Sequence, residues 1–208
     1  MASESKPVLH YLDIGSLGRG EVIRLFLQDA GIAFEDKRYP FNDTWKATSK
    51  ELQEKGISKT GRVPVLEYKG VLLAQHIPIL RYLARDLETY DGTTSLEKYT
   101  VDAVADLYID WRAEWAANLS KVSDGYKTKF LPEYYSILAE YYKQSGGPFL
   151  LGDRVTYADF AVYQSIDNDE GIGALPEFLP EEIVKFKKAF EERPLVAEYL
   201  NNGRKSSA

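Results

Sequence analysis

The 208-residue chain contains no cysteine, so disulfides, thiolate metal sites and cysteine nucleophiles are excluded. It has only two histidines, His10 and His76, too few for a histidine-rich metal centre. No apolar run reaches the ~18 residues that a membrane span needs. The first residues, Met-Ala-Ser-Glu-Ser-Lys-Pro, lack the apolar core of a secretory signal. These absences point to a cytoplasmic protein with no metal and no membrane partner. Charge is distributed unevenly. Residues 1–86 hold 13 Lys and Arg against 11 Asp and Glu, and the remainder holds 13 against 21, within a net −6. So acidic a chain is a poor nucleic-acid binder, although its mildly basic first part suits a small anion.

With 44% hydrophobic and 13% aromatic residues the chain can build a real core. In the opening stretch, Val8, Leu9, Tyr11 and Leu12 read as a short buried strand. Asp13 to Gly20 reads as a glycine-rich loop. Val22, Ile23, Leu25, Phe26 and Ala30 recur at helical spacing, and Gly31 closes that helix. A second strand is expected over 33–40 and a helical piece over 47–55. Val63–Tyr68 and Val71–Ala74 form a hairpin across Lys69-Gly70, and a helix follows over 76–88. Tyr11 thus stands at the top of a strand, beside a helix N-terminus, where ligands bind in open α/β sheets.

Beyond a turn-rich linker at 88–96 the strand signal ends. Helices are expected over 97–123, near 129–144, from Thr156, near 180–192 and over 194–202. In the first of these, Val101, Val104, Tyr108, Trp111 and Trp115 make one aromatic face. Thr156-Tyr-Ala-Asp159 reads as a capping box. The domains are therefore 1–87, the linker 88–96, and 97–208.

The stretch Leu9-His10-Tyr11-Leu12, followed by Arg19-Gly20-Glu21-Val22-Ile23-Arg24, resembles the start of the cytosolic glutathione transferases of the tyrosine-using classes (sigma, alpha, mu and pi). The loop is about two residues longer than usual in them. Gly61-Arg-Val-Pro-Val-Leu-Glu67 and Phe149-Leu-Leu-Gly-Asp-Arg-Val-Thr-Tyr-Ala-Asp-Phe160 extend the similarity over nearly the whole chain. The resemblance implies an α/β thioredoxin-like N-terminal domain followed by an all-α C-terminal domain. The second of these motifs is structural: Thr156 and Asp159 cap a buried helix.

The activity implied is conjugation of the glutathione thiolate to an apolar electrophile, with glutathione as co-substrate, in a homodimer with a detoxifying role. Tyr11 would donate its hydroxyl to the thiolate, and a thiol of ordinary pKa ~8.5 would then ionise more readily. Arg19 would add positive potential. Val63 would pair its main chain with the tripeptide beside a cis Pro64, although a trans turn proline fits the sequence equally well. Trp45 and a lysine, Lys46 or Lys50, would hold the glycine end. Gln75 and the following helix N-terminus would take the γ-glutamyl carboxylate. There His76 replaces the family's serine, and Arg62 replaces the glutamine before Val-Pro; each can still face a carboxylate. Asp106 would reach the partner's glutathione across the dimer. The electrophile pocket is expected from Ile14 and Leu17 with Tyr108, Trp111 and Trp115, though aromatics so spaced are also core formers. Two rival readings are a glutathione-dependent isomerase or dedicated biosynthetic conjugating enzyme, and a non-catalytic binding or scaffold protein in which His76 crowds the site.

Overall fold

The computed structural model describes residues 6–204. The chain divides into two compact units, Leu83–Arg193 forming one and the preceding residues together with the segment from Pro194 onward forming the other. The sequence boundaries placed that last segment with the helical domain.

The first unit holds a four-stranded mixed sheet of order β2-β1-β3-β4. The strands are β1 (Val8–Leu12), β2 (Glu35–Tyr39), β3 (Val65–Tyr68) and β4 (Val71–Ala74). β1 runs parallel to β2, pairing Tyr11 with Arg38, and antiparallel to β3, pairing His10 with Val65. β3 and β4 form the expected hairpin. Helix α1 (Arg19–Asp29) follows the loop after β1, and its apolar residues Val22, Ile23, Leu25 and Phe26 are wholly buried, as their spacing predicts. Gly31 follows at φ +66°. Helix α2 (Trp45–Glu54) stands before β3, and α3 (His76–Asp86) after β4.

The last segment forms α8 (Pro194–Glu198), which continues through one wider π turn at Tyr199–Gly203. It packs on α1. Its polar anchors are Tyr199, whose hydroxyl donates to Glu21 Oε1 at 3.1 Å, and Arg204, whose Nε donates there at 2.9 Å. Glu21 is wholly buried, and desolvation raises its carboxyl pKa against the pull of Arg204 and Arg24. Sequence spacing gives no hint of these partners, some 180 residues away.

The second unit is helical: α4 (Ser95–Ala117), α5 (Leu131–Ser145), α6 (Tyr157–Gly171) and α7 (Glu181–Glu191). α4 is shorter than the expected 97–123. Asn118 turns the chain, its Oδ1 accepting from the Ser123 amide at 2.9 Å while its Nδ2 donates to the Glu114 carbonyl at 2.9 Å. α5 is led in by a π turn at Tyr126–Phe130. α6 is the central helix, buried along nearly its whole length, which is why no single apolar stripe marks it. The capping box at its start is present. The Asp159 carboxylate accepts from the Thr156 amide and hydroxyl, the Leu150 amide and the Tyr142 hydroxyl, at 2.6 to 3.0 Å. Among the described residues no helix is long and apolar enough to cross a membrane.

Candidate active site

The site is built at the carboxyl end of β1. The alternation of that strand sends Leu9 and Tyr11 to one face and His10 and Leu12 to the other. Tyr11 is 4% exposed, and its hydroxyl accepts the Arg19 amide at 2.7 Å. The Arg24 guanidinium lies 5.7 Å from the ring centroid. Two glycines make room for the phenol. A Cβ on Gly18 would stand 2.5 Å from the Tyr11 oxygen, and one on Gly20 would overlap the ring and lie 2.9 Å from Tyr11 Cβ. The loop-to-helix junction thus fits closely around this side chain.

Beside it lies an open groove of about 230 Å³, lined by Leu12, Arg19, Trp45, Thr60, Arg62, Val63, Pro64, Ala74 and Gln75. Six of these residues, Arg19, Trp45, Arg62, Val63, Pro64 and Gln75, are ones that the family resemblance implies. The Val63–Pro64 bond is cis. The segment before it is pinned by side chains: Ser58 Oγ donates to the Arg62 carbonyl at 2.7 Å, and Ser49 Oγ to the Gly61 carbonyl at 2.8 Å. Gln75 holds φ at +70°, unusual for a residue with a side chain and found where the surroundings enforce it. Its carbonyl accepts the Ile79 amide at 2.9 Å and so opens α3. Two arginines and no carboxylate line the groove, so it favours an anion.

Tyr11 itself is not among the residues that line the groove, although its neighbours Leu12 and Arg19 are, and other candidates lie elsewhere. His76 is 2% exposed and is not among the residues that line the groove. Its backbone still sits at the start of α3. Lys46 and Lys50 are solvent-facing on α2, where Lys50 pairs with Glu54 at 3.5 Å, and neither lines the groove. Ile14 and Leu17 are half-buried in the loop. Tyr108 and Trp111, expected at the electrophile pocket, are wholly buried within the helical unit. Tyr108 hydrogen-bonds Gln164, and Trp111 Nε1 donates to Asp169 at 3.0 Å. Trp115 is 2% exposed and lies tilted at 37° against Trp111, with ring centroids 6.0 Å apart. Their spacing marks a buried face, and burial in their own core satisfies it. Asp106 is exposed on α4, while Asp102 accepts from the Tyr157 hydroxyl.

Sequence reasoning missed His10. On the opposite face of β1 it is 1% exposed, with Nδ1 2.6 Å from the Tyr39 hydroxyl and Nε2 2.6 Å from Glu67. That arrangement ties β2 to β3 across β1. The register that brings the three together is a long-range property, and only the β1 alternation could have shown that His10 points away from Tyr11.

Comparison with known proteins identifies the family. The glutathione S-transferase N-terminal domain model matches residues 7–85, and the C-terminal domain model matches 109–203. Probable glutathione S-transferase 9 of Caenorhabditis elegans is 35% identical over 88% of this chain and 95% of its own. Glutathione S-transferase 1 of Ascaris suum is 31% identical over 89% and 96%. Among solved structures, the sigma-class transferase of Fasciola hepatica superposes with a TM-score of 0.81 at 25% identity, over 99% of this chain and all of that one. With a thioredoxin-like unit followed by a helical one, the chain belongs to the glutathione S-transferase family, enzymes that take glutathione as co-substrate.

Proposed function

We propose that glutathione lies in the groove at Val63–Pro64 and that the Tyr11 hydroxyl stabilises its thiolate for attack on an apolar electrophile. The observation that carries this reading is that six residues implied by the one family resemblance meet in a single groove beside the Tyr11 loop. The Arg19 amide donates to the phenol oxygen and polarises its O–H toward the sulfur. Arg19 and Arg62 face the carboxylates of the tripeptide, Trp45 its glycine end, and Gln75 with the first amides of α3 its γ-glutamyl end. The main chain of Val63 pairs with the cysteinyl backbone as an added strand. Ile14 and Leu17 offer the electrophile an apolar surface. The working unit is a cytoplasmic homodimer in which Asp106 reaches the partner's glutathione, and the role is detoxifying.

Arg62 also favours the second reading, a dedicated isomerase or biosynthetic enzyme, because a guanidinium in place of an amide tightens one ligand geometry. The scaffold reading loses its main support, since buried His76 does not occupy the groove. The test is calorimetric titration with glutathione of the native chain, Arg62→Gln and His76→Ser. The proposal expects micromolar-to-millimolar binding by the native chain, a roughly tenfold loss in Arg62→Gln and little change in the groove contacts of His76→Ser. An absence of binding by the native chain, restored by His76→Ser, would return the scaffold reading to the lead.

A further inference from the structure

The loop from Asp13 to Gly18 joins β1 to α1, and its ends are tied to the frame of the first unit. The Asp13 amide donates to the Tyr39 carbonyl at 2.7 Å, and the Gly18 carbonyl accepts the Glu21 amide at 3.3 Å. The middle of the loop is held from β2 by Arg38. In the parallel pair of β1 and β2, Arg38 is the register partner of Tyr11, so both side chains leave the same face of the sheet. The Arg38 side chain is 6% exposed. Its Nε donates to Asp36 at 2.6 Å, its Nη1 donates to the Gly15 carbonyl at 2.9 Å, and the Asp13 carboxylate lies 3.7 Å from that Nη1. Asp36 is held in turn by Arg24 Nε, at 3.0 and 3.1 Å. One guanidinium therefore joins β2 to the loop, and its rigid fork has donors for both sides.

The position of this loop bears on the reacting atoms. A Cβ on Gly18 would stand 2.5 Å from the Tyr11 oxygen and 3.3 Å from Ile14 Cδ1, so the isoleucine tip and the phenol oxygen flank the same glycine. Ile14 is half-buried, and Arg38 holds the carbonyl of the residue that follows it. We infer that Arg38 is a positioning residue for the electrophile: through the Gly15 carbonyl it fixes Ile14 as an apolar wall beside the Tyr11 hydroxyl. The inference rests on the reading that Tyr11 serves bound glutathione. Arg38 is not among the residues that line the glutathione groove, so its loss should fall on the second substrate and spare the first.

The probe is chlorodinitrobenzene: the glutathione thiolate forms a C–S bond to its ring, and chloride leaves with the C–Cl electron pair. The variants are Arg38→Gln, Ile14→Ala and the double substitution, each in the full chain. A glutamine amide can still donate to Asp36 but falls short of Gly15, and Asp36 keeps both contacts from Arg24. Arg38→Lys, whose one nitrogen cannot serve both acceptors, takes its place if Arg38→Gln does not melt as a folded protein. The expected result is a KM for chlorodinitrobenzene raised about tenfold in Arg38→Gln, with the calorimetric affinity for glutathione held within about twofold. The double variant should be no worse than the poorer single one, because both changes remove the same wall. Amide exchange in the peptide spanning residues 13–18 should be about tenfold faster in Arg38→Gln. An unchanged KM, an equal loss of glutathione affinity, additive effects in the double variant or unaltered loop exchange would each overturn the inference. A native chain that binds no glutathione would instead overturn the reading of the groove and this inference with it, whereas a native chain that conjugates the probe with an unchanged KM in Arg38→Gln overturns the inference alone.

Discussion

Asp169 makes stability a function of pH in a direction opposite to that of most carboxylates. It lies two residues before the end of α6, buried, with three neutral donors: Tyr126 at 2.6 Å, Tyr135 at 2.7 Å and Trp111 at 3.0 Å. Those bonds favour the ionised form, but burial outweighs them and raises its pKa from an ordinary 3.8 to about 6. The helix C-terminus, itself partly negative, acts in the same direction. Because the folded pKa is the higher, the folded state holds the proton between pH ~4 and ~6 while the unfolded chain has released it. Stability from this residue is therefore full below the unfolded pKa and is withdrawn as pH rises through the folded one. A rise of about two pH units, at ~1.36 kcal/mol each, amounts to roughly 3 kcal/mol. Asp169→Asn cannot titrate. Urea unfolding of both proteins from pH 4 to 8 isolates the effect, because Glu21 and Asp159, also raised by burial, are common to both. The native chain should lose about 3 kcal/mol relative to the variant across that range. Parallel curves, or a native chain that gains on the variant as pH rises, would refute the reasoning.

Gly20→Ala should lower conjugation by about a hundredfold and also lower the melting temperature. Helix propensity alone would favour alanine there by about 1 kcal/mol, but the added Cβ overlaps the Tyr11 ring, and a displacement of about 1 Å at a reacting group is costly. Steady-state kinetics and a thermal melt check both halves. Asp159→Ala leaves four donors without their acceptor and should cost on the order of 4 kcal/mol in urea unfolding.

Local signals carried most of the fold. The alternation of Val8–Leu12, the Lys69-Gly70 turn, the α1 periodicity and the Thr156 box each depend on neighbours in sequence, and each element stands close to where those signals put it. What the sequence could not show was the identity of distant partners. The aromatic spacing of Tyr108, Trp111 and Trp115 marks a buried face, but a core and a pocket wall have the same periodicity, and Gln164 and Asp169 decide for the core. His76 stands at a helix start, a position compatible with surface or ligand, and only the packing around α3 buries it. For the lysines of α2 the resemblance implies a charge near Trp45 without fixing which residue carries it, and charge alone does not bring a side chain into a groove. Nothing near Glu21 in sequence announces Tyr199 or Arg204.

The role of Tyr11 is tested most directly by a spectroscopic pH titration of the glutathione thiol bound to the native chain and to Tyr11→Phe. The account predicts that the bound thiol ionises well below its ordinary ~8.5 in the native protein and returns toward it in the variant, with glutathione affinity nearly retained. The same thiol pKa in both proteins would contradict it.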